Sequence, residues 1–375
     1  MSTDRKEPVV RLPLQELEKC FVCPETKNLR FCSACSEAAY CSVDCQNKDW
    51  KSHKPICGKT DRIDLATFYP FLAALAEFHR LDKDRGVHIA LTRRVLSDVN
   101  PGTNPCRLPD GSSAKVLILG DEVEFDSNSK VWWPQARTLP IMSKLMRRIV
   151  REGHLLPITM AVCMAILTEI YTTTSAAGSK EKRLRFHYRS TPISDFGIAV
   201  GSADVKNQDK LAYWLPNGEF MKGQDPDEHC WIYFTTARGE EFTLDFGMFT
   251  FNMCMTIITR HYVNNKEEAY YVPYAPAFFC DRPFHKSSPN LYKERRRSSI
   301  LRNEDLHEVT RHSNGRFGDD DEKLIFKFMD DLAGRQTSAM ERSLLMSWIL
   351  RDRIHMRGNI ARSVENISTS GRYND

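Results

Sequence analysis

The sequence predicts a small cysteine-rich module followed by a larger α+β domain, in which a mostly antiparallel sheet is flanked by helices. Three observations predict this fold class. Seven cysteines and one histidine fall within residues 20–57. In the remaining chain, apolar residues recur at helical spacing, and strand-like runs separated by turn residues lie between the helical segments. With 41% hydrophobic residues in a chain of 375, there is enough apolar material to bury a large core after the module.

We expect four segments along the chain. Residues 1–19 form a polar leader, and residues 20–57 form the cysteine-rich module. Residues 62–356 form the α+β domain, to which no motif assigns a role, and residues 357–375 form a frayed C-terminal tail.

Periodicity assigns the elements of the α+β domain. Helices are predicted over residues 62–81 (with a kink at Pro70), 82–96, 141–151, 157–174, 319–333 and 338–356. Strands are predicted over residues 115–120, 185–190, 196–200, 211–215, 230–236 and 241–246. Residues 100–113 read as a connection, and residues 172–183 as a polar insert. This order of elements is typical of an α+β domain.

The cysteine-rich module has the ligand spacing of zinc sites. Its pattern is C-x2-C-x8-C-x2-C-x5-C-x3-C-x7-H-x3-C. Structural zinc takes four sulfur or nitrogen ligands in a tetrahedron, and ligands a few residues apart can converge on one ion. The candidate ligands form four close pairs: Cys20 and Cys23, Cys32 and Cys35, Cys41 and Cys45, and His53 and Cys57. Eight ligands fill two closed sites and leave no position open for a substrate, as in structural rather than catalytic sites.

The residues between the ligands support metal-dependent folding. Residues 41–53 read as a short helix, in which ligands four positions apart share one face. Fewer than half of the module's residues are apolar, so that metal binding must supply its folding free energy, on the order of 10–16 kcal/mol per site.

A disulfide framework is the alternative interpretation of these cysteines. It is disfavoured because their number is odd without His53, and because residues 1–19 lack the apolar run of a signal peptide. No stretch approaches the roughly 20 apolar residues that span a bilayer. We therefore expect a protein of the cytoplasm or nucleus that does not enter a membrane.

The module resembles the MYND zinc finger, which covers about a tenth of this chain. The resemblance rests on the spacing, on Tyr40-Cys41-Ser42 and on Gln46, Trp50, His53 and Cys57 at their positions after Cys45. It implies that the two zinc ions are held in an interleaved way. The first ion is then bound by Cys20, Cys23, Cys41 and Cys45, and the second by Cys32, Cys35, His53 and Cys57.

The same resemblance implies protein partners. MYND modules bind proteins, often through short proline-rich peptides, and are not sequence-specific readers of nucleic acid. Gln46 and Trp50 would line the peptide groove; the alternative is that Trp50 only covers the zinc core and Gln46 is solvated. The architecture as a whole is similar to that of fungal MYND-containing proteins. We expect an intracellular, regulatory interaction protein.

An enzymatic role of the larger domain is the second hypothesis. The Asn-His and late Asp-Tyr motifs of SET methyltransferases are missing from the sequence, which argues against that family. The order of Cys163, His229 and Asp245 is similar to transglutaminase-like and arylamine N-acetyltransferase folds. That resemblance implies a nucleophile, its base and an orienting carboxylate, in an active enzyme or as remnants in its inactive descendant. Because Cys163 falls in an apolar helix, an inert core cysteine is the competing interpretation, and an enzyme is the less favoured of the two hypotheses.

The positive charge is concentrated in one decapeptide. Residues 293–302 carry the whole net charge of +4, so that the rest of the chain balances to zero and offers no broad nucleic-acid footprint. This segment reads as a solvated basic helix or loop. A nuclear-import signal or a phosphorylation site at Ser298 or Ser299 are the functional alternatives.

Overall fold

The computed structural model of the protein describes residues 8–57, 60–126, 128–173, 183–253, 255–263, 272–281, 284, 287–288, 290–312 and 317–370. The helices in these ranges are α1 (Val43–His53), α2 (Leu65–Arg80), α3 (Leu139–Val150), α4 (Leu155–Ile166), α5 (Glu304–Arg311), α6 (Asp319–Ala333) and α7 (Ala339–Ser370). A π-helical turn, Leu167–Tyr171, continues α4.

The strands are mostly short. In chain order they are β1 (Val9–Val10), β2 (Arg30–Phe31), β3 (Ala39–Tyr40), β4 (Thr60–Asp64), β5 (Arg93–Val95), β6 (Cys106–Arg107), β7 (Ser113–Glu122), β8 (Thr172–Thr173), β9 (Arg183–Tyr188), β10 (Thr191–Ala203), β11 (Leu211–Trp214), β12 (Phe220–Lys222), β13 (His229–Thr236), β14 (Glu241–Asp245), β15 (Met255–Ile258), β16 (Tyr274–Cys280) and β17 (Tyr292–Ser299).

Two larger sheets organise the domain after the cysteine-rich module. The first has the order β15-β16-β14-β13-β10-β9-β4, and β17 also pairs with β10. The second has the order β12-β11-β7-β5, with β6 also paired to β7. Two small pairs, β1 with β8 and β2 with β3, complete the described sheets.

Both larger sheets are mixed, so the expectation of a mostly antiparallel sheet is corrected. The strands β4 and β9 run parallel, and so do β7 and β11. Parallel strands need a long crossover connection, and here each pairing joins segments that lie far apart in the chain. The strand β4, Thr-Asp-Arg-Ile-Asp, is also too polar to show the alternation of a half-buried strand.

The main core lies between the first sheet and the helices. Every residue of α4 is buried apart from Leu156, and the helix contacts α2, α7, β10 and β13. A second core lies on the smaller sheet, against α3, and it contains Trp132 and Trp133, both fully buried. The predicted apolar helix is thus the centre of the larger core.

Most of the predicted elements are present at nearly the predicted positions. The helix over residues 319–333 is confirmed as α6, and the predicted strands correspond to β7, β9, β10, β11, β13 and β14. Helix α2 begins at Leu65 because the side chain of Asp64 accepts a hydrogen bond from the N–H of Ala66, and it accommodates Pro70.

Two expectations for the domain are changed by the structure, and a third falls largely on residues that it does not describe. Residues 82–96 are not helical, since they form two 3-10 turns and β5. Helix α7 continues to Ser370, through residues for which the sequence predicts a frayed tail. The polar insert of residues 172–183 lies largely outside the described residues.

The basic decapeptide is a strand rather than a helix or loop. Most of it forms β17, which pairs with β10. Its arginines meet acidic partners: Arg297 bonds to Glu241 at 2.7 Å, and Arg295 bonds to Glu228 at 3.0 Å. Ser299 is half-buried and donates to Asp195 at 2.6 Å. Much of the local positive charge is therefore compensated within the fold.

Among the described residues, no single helix is long and apolar enough to cross a bilayer. Helix α3 and the segment Leu155–Tyr171, which meet at a bend of 69°, together have the length and the apolar composition of a membrane span.

Candidate metal centre

The first ligand cluster joins a turn near the N-terminus to the start of α1. The four ligand atoms of Cys20, Cys23, Cys41 and Cys45 lie within 4.8 Å of one another. Ser42 caps α1 by accepting a hydrogen bond from the N–H of Cys45 at 3.2 Å, and this cap sets the direction in which the helix leaves Cys41.

The second cluster joins the β2–β3 hairpin to the end of α1. The ligand atoms of Cys32, Cys35, His53 and Cys57 also lie within 4.8 Å of one another. The turn between the first two is closed by a backbone hydrogen bond from Ser36 to Cys32 at 2.8 Å. The interleaved pairing implied by the sequence resemblance is therefore confirmed.

The spacing of the ligand atoms fits zinc quantitatively. A tetrahedral ion with Zn–S bonds of about 2.3 Å holds its sulfur atoms about 3.8 Å apart. In the first cluster, the Sγ atoms of Cys23, Cys41 and Cys45 are 3.5, 3.6 and 3.7 Å apart. These distances are the edges of one coordination tetrahedron.

The cluster that contains histidine fits equally well. A Zn–N bond of about 2.0–2.1 Å reduces the expected nitrogen–sulfur edge to about 3.5 Å. His53 Nε2 is 3.4 Å from the Sγ atoms of both Cys32 and Cys35, and the Sγ atoms of Cys32 and Cys57 are 3.6 Å apart. Both donor sets are closed S₄ or S₃N sets, the type that binds structural zinc.

The clustered thiols need a cation to ionise together. Burial, followed by the neighbouring sulfur atoms, raises the pKa of Cys35 to about 12. The contact with the Cys23 thiol, together with burial, raises the pKa of Cys41 to about 12. Zinc removes this obstacle because it binds the thiolate form. Backbone N–H groups of Val22 and Glu37 point at the sulfur atoms of Cys20 and Cys35, and they stabilise negative charge there.

The two predicted peptide-groove residues differ in exposure. Trp50 is 42% exposed, although its ring centroid lies 6.1 Å from that of the ligand His53. Gln46 is half-buried, and its Nε2 lies 4.0 Å from the Sγ of Cys32. Both therefore lie beside the second cluster, and Trp50 presents a large part of its surface to solvent.

The module is attached to the larger domain by specific contacts. Arg62 donates to the carbonyl of Ser33 at 2.8 Å, and the guanidinium of Arg238 lies 5.5 Å from the centre of the Phe31 ring. The N–H of Leu17 donates to the carbonyl of Ala237 at 3.0 Å. The hairpin side of the module thus faces the β13–β14 turn.

The alternative site brings together two of its three residues. His229 Nε2 lies 2.6 Å from Asp245 Oδ2, and both side chains are fully buried. Cys163 is fully buried too, and no hydrogen bond joins it to His229 in the described structure. Burial raises the pKa of the Cys163 thiol well above its usual value. A thiol so placed meets neither solvent nor a base, which are the two requirements of a cysteine nucleophile.

The carboxylate of Asp245 has a further side-chain partner that the sequence does not predict. Tyr292 donates its hydroxyl to Asp245 Oδ2 at 2.8 Å, and the N–H of Gly247 donates to Oδ1 at 2.6 Å. Tyr292 follows Asp245 by 47 residues and begins another strand, so no local pattern could indicate the contact.

The geometry defines residues 20–57 as a compact fold held by two zinc sites. The profile of the MYND finger family matches the same residues, 20–57. Histone-lysine N-methyltransferase ASHR1 of Arabidopsis thaliana is 39% identical over 46 residues, 12% of this chain and 10% of that protein. Tudor domain-containing protein 1 of Oryzias latipes is 43% identical over 42 residues, 11% of this chain and 4% of that protein.

The similarity is confined to short segments. The chain spans a tenth or less of the length of these two relatives. No solved structure matches the chain. The chain therefore contains a MYND zinc finger, and the family match does not extend into the larger domain.

Proposed function

We propose that the protein is an intracellular, regulatory interaction protein whose zinc finger binds a short proline-rich peptide of a partner protein. The observation that carries the proposal is the exposure of Trp50. In so small a fold a tryptophan is the largest apolar group available, yet it is 42% exposed while cysteines fill the core. Aromatic side chains on a surface groove are what proline-rich peptides dock against.

Gln46 and Trp50 lie on one face of α1. They are four residues apart, so that both side chains point the same way from the helix. Gln46 supplies a polar amide next to the apolar indole ring, a combination that suits a peptide with exposed carbonyl groups and proline rings. Because Trp50 contacts His53, the zinc ion fixes the position of this surface.

The intracellular location is supported by the state of the cysteines. None of the described cysteines forms a disulfide, and thiolate ligands for zinc must stay reduced. The likeness of the whole architecture to fungal MYND-containing proteins stays a prediction.

Peptide binding by matched variants of the full chain tests the proposal. A short proline-rich peptide is titrated by calorimetry, with a second peptide in which each proline is replaced by alanine. Trp50→Ala is expected to weaken binding about tenfold, because hot-spot aromatic residues dominate small interfaces. Gln46→Ala should reduce the affinity by a smaller factor. Zinc content should stay at the wild-type level in both variants.

Lys48→Ala is the matched control, since Lys48 is exposed on the opposite face of the same helix. It should bind as the wild type does. Equal affinity of the wild type and Trp50→Ala, or equal binding of the alanine-substituted peptide, contradicts the proposed groove.

A further inference from the structure

A cavity of about 340 Å³ lies in the larger domain, outside the zinc finger. Its walls come from the loop of residues 99–105, from β7, from α3 and from the segments around residues 209 and 252. A cleft at the meeting point of several segments is the usual position of a small-molecule site, and its volume falls at the lower end of the range for such sites.

Two cationic side chains in its wall are buried. Lys115 is 8% exposed and Arg148 is 5% exposed. Lys115 Nζ donates to the carbonyl of Asn100 at 2.9 Å, and Arg148 Nε donates to the carbonyl of Thr250 at 2.8 Å. These partners are neutral carbonyl groups, so that the hydrogen bonds orient the cations without cancelling their charge.

Positive charge exceeds negative charge around the cavity. The cationic wall residues are Lys115, Lys144 and Arg148, and Asp209 is the acidic one among the described residues that line it. The carboxylate of Asp209 already accepts a hydrogen bond from Asn252 at 2.7 Å. Burial, and then the charge of Arg148, lower the pKa of Lys115, and the opposing charges of Asp209 and Asp98 do not reverse this shift.

Charges just outside the cavity do not restore the balance. Asp98 and Arg137 both lie near Lys115 and oppose each other. Glu152 lies near Arg148, but burial raises the pKa of its carboxyl to about 7, so that it is a weak counter-charge.

Part of the remaining wall is apolar, beside the polar side chains of Thr103, Asn104, Gln208 and Asn252. Val99, Trp133, Ile141 and Leu145 line it, and the indole of Trp133 is held in place by a hydrogen bond to the carbonyl of Ser97. We propose that this cavity binds a small organic anion, whose carboxylate or phosphate group lies at Lys115, Arg148 and Lys144 and whose apolar part packs against Ile141 and Leu145.

Calorimetric titration of the full chain with three probes tests the site. Benzoate and phenyl phosphate carry the two anionic groups on the same ring, and benzamide is the uncharged analogue of benzoate. Saturable binding of at least one anion, with no binding of benzamide, is expected. The stronger of the two anions identifies the head group.

Variants assign the binding to this cavity. Lys115→Met should weaken binding of that anion about tenfold or more, the effect of removing a buried charged hydrogen-bond donor. Lys144→Gln should weaken it about two- to fivefold, because Lys144 is exposed at the rim. Arg147→Gln, an exposed neighbour on α3 that does not line the cavity, is the charge-matched control and should bind as the wild type does.

If Lys115→Met fails to fold, Lys144→Gln at the rim of the cavity still tests the proposal. Failure of both anions to bind saturably at millimolar concentration overturns the proposal. So does equal binding of benzamide, or equal weakening by Lys144→Gln and Arg147→Gln, since the effect would then reflect net charge alone.

Discussion

At the residue scale, Asp245 shows how a buried charge is stabilised in this fold. Its carboxylate accepts hydrogen bonds from the N–H of Gly247 and the hydroxyl of Tyr292, and it is bonded to His229 Nε2. These groups belong to β13, to β17 and to the turn after β14. A buried carboxylate with three partners ties together β13, β14 and β17 of the first sheet, which is a structural role.

Replacing this carboxylate should be costly. Asp245→Asn keeps the shape but removes the charge-assisted hydrogen bonds, and we expect it to lower the free energy of unfolding by about 2–4 kcal/mol. Urea denaturation followed by circular dichroism measures the change. Asp121→Asn, at an exposed position on β7, is the control and should stay within about 0.5 kcal/mol of the wild type. A loss no larger than that of the control contradicts the structural role.

Glu152 makes a pH-dependent contribution. Burial raises its pKa from 4.5 to about 7, so its contribution to stability is fully present below pH 4.5 and is lost as the pH rises through 7. The neighbouring His88, 3.8 Å away, acts in the opposite sense, because burial lowers its pKa from 6.5 to about 4 and stability is lost as the pH falls.

Glu152→Gln should separate the two effects. The wild type gains stability as the pH falls from 7 to 5, because folded Glu152 takes up a proton more readily than unfolded Glu152 does. Glu152→Gln lacks this gain, so that its free energy of unfolding should fall behind that of the wild type by at most roughly 3 kcal/mol. His88→Gln should show the opposite difference. Urea denaturation of the three proteins at several pH values measures both, and parallel pH profiles would show that neither group titrates as described.

At the element scale, the pairing of β10 with β17 depends on two glycines. A Cβ atom at Gly197 would lie 2.2 Å from the carbonyl oxygen of Ser298, and one at Gly201 would lie 2.2 Å from that of Lys293. Backbone cannot yield as a flexible side chain can. The close approach of the basic strand to β10 therefore requires glycine at both positions.

A methyl group at this contact should separate the strands. Gly201→Ala is expected to destabilise the domain by at least about 2 kcal/mol and to increase amide hydrogen exchange along β17. At Gly318 the added Cβ would meet its nearest neighbour at an ordinary 3.7 Å, so that Gly318→Ala is the matched control. Wild-type exchange rates along β17 in Gly201→Ala would contradict the described pairing.

Elements with a local signal were predictable from the sequence. The apolar run of α4 and the amphipathic pattern of α6 are each contained in one segment. The helix predicted over residues 82–96 does not form, although apolar residues continue past α2. Gly86 adopts a φ of 75°, and the side chains of Asp82 and His88 cap separate 3-10 turns. Strand β4 was missed because its pairing with β9, rather than its own composition, makes it a strand.

The same distinction applies to the sites. The zinc ligands were predictable because each close pair lies within five residues. The contact of Tyr292 with Asp245 and the cavity of Lys115 and Arg148 join residues that are far apart in the chain, and these depend on tertiary structure alone.

At the scale of the whole molecule, a zinc-held finger is joined to a domain with its own cores. The finger's core consists largely of its ligands, with Leu29, Ala38 and Tyr40 among the few other buried residues. Its hairpin contacts Arg62 and Arg238 of the larger domain, whereas Trp50 on α1 is exposed. The metal therefore stabilises both the finger and the surface proposed to bind peptides.

Zinc stoichiometry tests the central claim most directly. Native mass spectrometry of the full chain, purified under reducing conditions without chelator, should give the mass of the protein with two zinc ions. Cys41→Ala should lose at least the ion held with Cys20, Cys23 and Cys45, because an incomplete tetrahedral site binds zinc weakly. Wild-type protein that carries one zinc ion, or none, would contradict the two interleaved sites.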